Sequence, residues 1–331
     1  MNLTRPQLIE FSLRYATAVI FVAIFLYFGL QAPRFLALDS VSNIVKQSAF
    51  IGIVAVGMTF VLLTAGIDLS VGSNMYLSAM AAGYLLQLPE LQNPFGVVAA
   101  LIVGVAAGVA FGTVNAFAIV ILRISPFIAT LATLVAGRGL GTAITESFGI
   151  EFPRVFLKFG ASSVLGVPMP IIAFALVVSI AHFVLSRTPF GRQIYAVGND
   201  PEAANLAGVD VNRIVFSAYV ICGACAALGG VTLIALIGRL NQTFGVGKEF
   251  DVITAAVLGG TSLFGGVGTA FGAVIGAVLV QMVQAGMVFT AVNLYLQPMV
   301  LAAIIFVAVL FDALRQSRLA RLRRRLIRTE E

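Results

Sequence analysis

Residues 44–64 read IVKQSAFIGIVAVGMTFVLLT, an apolar stretch long enough to cross a lipid bilayer as one helix. A span needs about 20 such residues to cross ~30 Å of hydrocarbon. Nine other stretches have the same character, which predicts an all-α, polytopic integral membrane protein with about ten transmembrane helices. The predicted spans are 13–31, 44–64, 70–88, 95–122, 126–145, 168–186, 213–237, 250–264, 268–289 and 295–313.

The composition excludes an ordinary soluble enzyme. Of the 331 residues, 60% are hydrophobic and 10% are charged, and the mean hydropathy is +1.04, whereas a soluble domain carries about 25% charged residues. The sequence has no G-x-x-x-x-G-K-[ST], H-E-x-x-H or G-x-S-x-G motif, and its one histidine cannot build a metal site. We therefore expect no catalytic residues, no metal and no cofactor. Cys222 and Cys225 lie in an apolar, small-residue run, which favours helix packing over redox chemistry.

The net charge of +6 comes from one terminal segment. Residues 315–331 hold seven arginines against two glutamates, and the rest of the chain balances 13 basic with 12 acidic residues. A basic segment beside a span indicates contact with anionic lipid headgroups on the cytoplasmic side, rather than nucleic-acid binding. With an even number of spans, both termini are predicted to be cytoplasmic. Without this tail the loops carry six basic residues on each side, so the tail decides the orientation.

Two glycine-broken apolar segments resemble each other: VLLTAGIDLSVGS at 61–73 and VLGGTSLFGGVGT at 257–269. They fall in corresponding places if the chain divides into five plus five spans near residue 165, and an odd number of spans per half would make the halves inverted. The alternative is that glycine-rich membrane helices resemble one another by chance. Broken segments at matching positions indicate a transport pathway. We predict that this pathway includes Gly66, Asp68, Ser70, Asn74, Gly259 and Gly260.

Several polar residues in the apolar segments allow two interpretations. Either Asp68 or Ser70 caps a helix starting near Val71, or Asp68 faces the pathway. Arg138 is expected to snorkel or to bind a nearby carbonyl rather than a ligand. Four amide side chains could line a channel or hydrogen-bond between helices. They are Asn74, Asn115, Gln281 and Gln284.

The polar loop 186–212 contains the signals of a short helix. Asp200 is placed to cap its start, Pro201 suits the first turn, and Gly208 suits a left-handed stop. Glu202 opposes the positive end of the helix dipole. A helix of about two turns is marginal alone, so it must rest on its own protein or dock on a soluble partner.

Here the sequence resembles a known family. Glu202-Ala203-Ala204-x-x-x-Gly208 is similar to the EAA-x-x-x-G loop of permease subunits of bacterial ABC importers, although the I-x-L-P that often follows it is absent. TAGIDLSVGS at 64–73 resembles the T/SGGIDLSVGS signature of the ribose-, xylose- and galactofuranose-type sugar permeases. SPFIAT at 125–130 with VAGRG at 135–139, and AAVLGGTSLFGGVG at 255–268, are also similar. The resemblance covers about residues 45–312, and the galactofuranose-type permeases are the most similar in these motifs.

The resemblance implies one transmembrane permease domain over 1–331, with a cytoplasmic coupling loop at 186–212 and the basic tail at 315–331. It implies a multi-pass protein of the cell inner membrane that moves a monosaccharide. The implied partners are an ATP-binding cassette ATPase, a periplasmic sugar-binding protein, a second permease subunit as homodimer or paired permease, and membrane lipid. Coupling to the ATPase is assigned to Glu202, Ala203, Ala204 and Gly208, the two alanines being small because a partner surface approaches them.

Three alternatives are open, and two of them belong to other classes. An ion-coupled secondary transporter would need paired acids near the midplane and would have no use for a docking helix. An ABC permease for a non-sugar solute such as autoinducer-2 would share the same motifs. An intramembrane enzyme would need a nucleophile–base pair, and the sequence offers none.

Overall fold

A computed structural model describes residues 21–307 and 309–310, and these residues are almost entirely helical. The helices are α1 (Phe21–Gln31), α2 (Leu38–Leu63), α3 (Val71–Leu85), α4 (Pro94–Val120), α5 (Pro126–Ile144), α6 (Arg154–Ala161), α7 (Met169–Arg187), α8 (Pro189–Asn199), α9 (Pro201–Leu206), α10 (Val211–Ile237), α11 (Lys248–Leu258), α12 (Ala270–Phe289) and α13 (Gln297–Val307). Short 3-10 turns occupy Pro33–Leu36 and Pro89–Leu91.

The described strands are only two residues long and form two antiparallel pairs. Strand β1 (Ile150–Glu151) pairs with β4 (Arg239–Leu240). Strand β2 (Ser163–Val164) pairs with β3 (Val167–Pro168) in a tight hairpin. The prediction of an all-α polytopic fold is therefore confirmed.

Each predicted span overlaps a described helix, although the span predicted at 250–264 extends beyond the end of α11 at Leu258. Six helices, α2, α4, α5, α7, α10 and α12, are long and apolar enough to cross a membrane. By contrast, α3 has 15 residues and α11 has 11, which at 1.5 Å per residue gives about 22 and 16 Å. The total of ten spans stays a prediction. The first and last predicted spans extend beyond the described residues, and the arginine tail at 315–331 lies wholly outside them.

The contacts divide the chain into two compact units, and the single permease domain stays a prediction. One unit contains the described residues 21–44 and 279–310, and the other contains 45–278. In the first unit, the buried ring of Phe35 lies 5.7 Å from the ring of Phe28 and 5.8 Å from that of Phe289, centroid to centroid. These aromatic contacts hold Phe28 and Phe35 against the end of α12.

The second unit is built around α2, whose residues from 48 to 63 are all buried. A helix that is apolar on every side belongs inside a bundle. Beside it, α4 and α10 cross so closely that a Cβ on Gly112 would lie 2.6 Å from the carbonyl oxygen of Tyr219. Small residues at such crossings are typical of membrane helix packing. Cys222 and Cys225 of α10 are buried and free, and Gly57 of α2 packs against Cys225, as expected for a packing role.

The outer helices of this unit expose apolar side chains. Ile102 of α4, Phe127 of α5 and Ile180 of α7 are each more than half exposed. Their backbone groups are paired within the helices, as lipid requires. These helices therefore present a surface suited to hydrocarbon.

The second unit has two ends, named here the α9 end and the hairpin end. At the hairpin end, Phe152 N–H donates to Gly238 O at 3.0 Å, next to the β1–β4 pair and the β2–β3 hairpin. At the α9 end, Gly266 N–H donates to Leu63 O at 3.0 Å. The two glycine-broken segments therefore meet at one end. The repeat that pairs 61–73 with 257–269 stays a prediction.

Candidate functional site

The short helix α9 has the ends that its sequence predicts. Asp200 Oδ1 accepts the backbone N–H groups of Glu202 and Ala203, both at 3.0 Å. Pro201 occupies the first helical position. Gly208 follows with φ +83°, and the chain leaves through the bond from Val209 N–H to Ala204 O at 3.0 Å. The cap and the left-handed stop are confirmed.

One face of α9 rests on its own chain and the other is open. The helix packs on α8 and α10, and Ala204 is 5% exposed on that side. The expectation that both alanines face a partner is therefore wrong for Ala204. Glu202 and Ala203 are exposed, and Leu206 is 89% exposed. The almost fully exposed side chain of Leu206 and the exposed Ala203 together form an apolar surface of α9 that a partner can cover.

The preceding helix, α8, links α9 to both glycine-broken segments. Its buried side consists of Gly191, Ile194 and Val197. Near its end, Tyr195 OH donates to Gly268 O at 2.7 Å. One turn later, Gly198 lies directly against the backbone of Leu63 and Gly266. The loop that carries α9 is thus anchored on the segments predicted to form the pathway.

The first broken segment is held by a buried polar network around Asp68, which is 1% exposed. Its Oδ1 accepts from Ser70 N–H at 2.9 Å and from Ser70 Oγ at 2.6 Å. Asn115 Nδ2 of α4 donates to Ser70 Oγ at 2.7 Å, and Thr133 Oγ1 of α5 donates to Asn115 Oδ1 at 2.6 Å. This network therefore ties the start of α3 to α4 and α5. Among the described residues, no three His, Cys, Asp or Glu side chains cluster closely enough to hold a metal ion.

The cap expected at Val71 takes a different form. α3 does begin at Val71, but the Ser70 side chain caps no N–H of its first turn. Asp68 instead accepts the N–H of Ser70, the residue before the helix. The pathway role of Gly66, Asp68 and Ser70 stays a prediction, because all three are buried in this structure.

The amide of Asn74 joins three helices. Its Nδ2 donates to Gly108 O of α4 at 3.2 Å and to Gly223 O of α10 at 3.3 Å. Its Oδ1 accepts from Ser78 Oγ at 2.9 Å. Asn74 and Asn115 therefore hydrogen-bond between helices, the second of the two interpretations given above.

The second broken segment turns where α11 ends. Gly259 packs on the backbone of Gly272, and Gly260 has φ +90° beside open space. Thr261 follows with its Oγ1 buried and without a hydrogen-bond partner. Such backbone freedom suits a segment that changes direction, while its pathway role stays a prediction.

A cavity of about 400 Å³ opens at the α9 end. The first broken segment forms one wall through Thr64, Ala65 and Gly66, and α10 forms another through Tyr219. The hydroxyl of Tyr219 donates to Ile67 O at 3.2 Å. The cavity therefore lies directly beside the break between α2 and α3.

An irregular segment, residues 241–247, precedes α11 and packs beside α3. Arg138 Nη1 of α5 donates to the carbonyl oxygen of Phe244 and, at 3.4 Å, to that of Gln242. Its guanidinium lies 5.2 Å from the centre of the Tyr76 ring. Binding to nearby carbonyls is the role expected for Arg138. Since Gly245 lies against Gly72 at the start of α3, the segment 241–247 runs beside α3, with Phe244 and Gly245 buried and the other residues partly or fully exposed.

A family model described as "Branched-chain amino acid transport system / permease component" matches residues 40–309 of this sequence. The match covers far more than half of the chain. This chain belongs to that permease family. Together with its six long apolar helices, this makes the permease a multi-pass membrane protein.

Individual relatives of the permease carry sugar names. It is 37% identical to the ribose import permease protein of Escherichia coli K12, over 86% of this chain and 89% of the relative. It is 35% identical to the D-allose transport system permease protein of the same strain, over 91% and 92%. It is 33% identical to the galactose/methyl galactoside import permease protein of Salmonella typhimurium LT2, over 92% and 94%. No solved structure matches the permease. The resemblance to sugar permeases is confirmed.

Sequence reasoning missed four residues of the permease that the structure places at this site. Leu206 was hidden because leucine in a short helix usually marks the packed face. Tyr195, Gly198 and Tyr219 reach the broken segments only through the fold. Tyr195 bonds to Gly268, 73 positions away, Gly198 lies against Leu63, 135 positions away, and Tyr219 bonds to Ile67, 152 positions away. No local pattern brings such distant residues together.

Proposed function

We propose that this chain is the transmembrane permease subunit of an ABC importer, which moves a monosaccharide across the cell inner membrane. Energy would come from ATP hydrolysis by a separate ATPase subunit, and a periplasmic binding protein would deliver the sugar. The observation that carries the proposal is α9, a capped helix with an open face, anchored through α8 on the two glycine-broken segments. The names of the relatives support the substrate class.

In this proposal, the open face of α9 binds a groove of the ATPase. Leu206 supplies the apolar contact, Ala203 lets the surfaces approach, and Glu202 stabilises the helix start or pairs with a basic residue of the ATPase. Ala204 and Gly208 set the position and the end of the helix. The α9 end is then cytoplasmic, as are both termini. A second permease subunit, identical or related, completes the pathway in contact with lipid.

The docking assignment is tested by Leu206→Asp, with ATPase co-purification as the measurement. A charge in an apolar contact should abolish association, while thermal unfolding of the membrane subunit stays unchanged, because the side chain is 89% exposed. Leu165→Asp is the matched control, since Leu165 is fully exposed at the hairpin end. ATPase retention by Leu206→Asp, with uptake intact, would show that α9 does not dock. Ala203→Trp should also abolish ATPase association, because of the bulk of its side chain alone.

The substrate class is tested on the partner binding protein by calorimetry against pentoses, hexoses and amino acids. We expect a monosaccharide to bind tightly and amino acids not to bind, and a galactofuranose-type preference stays a prediction. An amino-acid ligand with no sugar binding would refute the sugar assignment, and autoinducer-2 as the ligand would favour the non-sugar alternative. The ion-coupled alternative is weakened because the acid at the break, Asp68, is held by the neutral groups of Ser70 and Asn115.

The permease alone should hydrolyse no ATP, because its sequence has no phosphate-binding loop. The membrane subunit is purified without its partners and phosphate release is followed. ATP hydrolysis that persists after all other chains are removed would overturn the proposal that a separate subunit is the ATPase.

A further inference from the structure

At the α9 end, three backbone segments touch without side chains between them. Gly198 of α8 sits against Leu63 O and Gly266 N, so close that a Cβ on Gly198 would overlap both. Gly266 N–H itself donates to Leu63 O at 3.0 Å. Tyr195, one turn earlier, adds its hydroxyl bond to Gly268 O at 2.7 Å. This group of contacts is named here the glycine junction.

Backbone contacts of this kind transmit displacement directly. Side chains between two elements can absorb a shift by changing rotamers, but a packed backbone cannot, and protein interiors compress little. Because Gly198 lies two residues before Asp200, the cap of α9, a rigid movement of α9 and α8 must also move Leu63 and Gly266. Both broken segments therefore respond to the position of α9.

The first broken segment also has room to move. The glycine junction supports it on one side, and the 400 Å³ cavity lies on the other, with Ala65 and Gly66 in its wall. Ala65 is exposed and holds φ +58°, a backbone that alanine adopts at a cost. Beyond the cavity wall, Ile67 O accepts from Tyr219 OH of α10 at 3.2 Å and from Thr130 Oγ1 of α5 at 3.5 Å. Pressure from α8 would displace residues 64–67 toward open space.

We propose that Tyr195 and Gly198 are the positioning residues through which movement of α9 reaches both glycine-broken segments. The inference rests on the proposed function, because the ATPase supplies the movement. Neither residue needs to contact the solute. Tyr195 fixes α8 to the second segment, and Gly198 brings α8 against the first.

The test measures movement of the first broken segment directly, so the identity of the solute is not needed. The permease carrying Ala65→Cys is assembled with its ATPase, and the labelling rate by N-ethylmaleimide is measured without nucleotide and after vanadate trapping with ATP. Cys222 and Cys225 are buried and contribute little background. We expect the trapped and nucleotide-free rates to differ by several-fold, because residues 64–67 move.

The variant Tyr195→Phe removes only the hydroxyl bond to Gly268 O. One such bond contributes a factor of about five. Because Gly266 N–H of the second segment is bonded to Leu63 O of the first, the nucleotide-dependent difference in labelling at Ala65 should shrink by about that factor while the ATPase stays bound. The matched control is Tyr84→Phe, which removes a bond from Tyr84 OH to Ile144 O at 3.0 Å near the hairpin end. The control should leave the difference unchanged.

A second pair of variants substitutes glycines, and its expected effect on labelling is larger. Gly198→Ala should separate α8 from Leu63 and abolish the labelling difference, whereas Gly139→Ala, with no atom within 4 Å of the added Cβ, should keep it. Thermal unfolding is recorded for all variants, and if Gly198→Ala does not fold, Tyr195→Phe decides. A Tyr195→Phe complex with bound ATPase and the full labelling difference would overturn this inference alone. Failure of the wild-type permease to bind ATPase would overturn the proposed function and this inference with it.

Discussion

Gly208 and Gly166 share one backbone conformation at opposite ends of the second unit. Their φ angles are +83° and +81°, and a Cβ on either would meet no atom within 4 Å. Substitution by alanine therefore adds strain from φ alone, roughly 1–2 kcal/mol at each site. We expect Gly208→Ala and Gly166→Ala to lower thermal stability equally, and only Gly208→Ala to weaken ATPase association, because only it ends α9. Equal ATPase binding by both variants would contradict the role of Gly208.

Single residues show where sequence reasoning reaches its limit. The cap at Asp200 and the stop at Gly208 depend on neighbours within a few positions, so the sequence predicts them correctly. Besides local bonds to Ser70 and Ser78, Asp68 and Asn74 have partners on α4 and α10, up to 149 positions away. A polar side chain in an apolar segment can satisfy itself locally, across helices or at a ligand, and only the fold decides which.

At the scale of elements, the length of apolar runs predicts every described helix except α6, α8 and α9, but not how each crosses. The run 250–264 predicts one span, whereas the structure ends α11 at Leu258 and turns at Gly260. The missing length lies before the helix, in the irregular segment 241–247 beside α3. That segment is polar and glycine-containing, so hydropathy does not reveal it. Irregular backbone within a membrane is tolerated where protein buries it, as at Phe244 and Gly245.

Arg138 holds that irregular segment in place, which leads to a prediction for the element. Arg138→Lys replaces a planar group that spans two carbonyls and lies over Tyr76 with a single ammonium. The amides of Phe244 and Val246, which donate to Asn241 O and Thr243 O, should then exchange about ten-fold faster, equivalent to ~1.4 kcal/mol of local stability. Hydrogen exchange read by mass spectrometry measures this change.

The control for this exchange experiment is Arg154→Lys, at an exposed arginine at the start of α6. It should leave exchange in 241–247 unchanged, since its side chain lies in the hairpin-end loops. If the Arg138 and Arg154 variants exchange alike, the segment is held by its own turns and Arg138 is dispensable.

At the scale of the whole molecule, the packing of the helices does not give the orientation in the membrane. The orientation depends on the basic residues and on which segments cross the bilayer. The loops without the tail carry equal numbers of basic residues on both sides, so only the seven arginines at 315–331 set the predicted direction. The geometry adds an independent reason. If α9 binds an ATPase in the cytoplasm, the hairpin end faces the periplasm, and the two arguments agree.

Reporters placed at both ends test that orientation and the crossing by α11 together. Alkaline phosphatase inserted between Leu165 and Gly166, at the fully exposed hairpin tip, should be active in the periplasm, and a fluorescent protein after Arg328 should fold in the cytoplasm. Five predicted spans lie between these points, and an odd number places them on opposite sides. Of these five spans, α11 is too short to cross alone, because its helix is about 16 Å long. It completes a crossing only if the segment 241–247 supplies the remaining length. Reporters on the same side would mean that this segment returns without crossing, whereas opposite sides with the phosphatase in the cytoplasm would invert the permease and remove α9 from the reach of any ATPase.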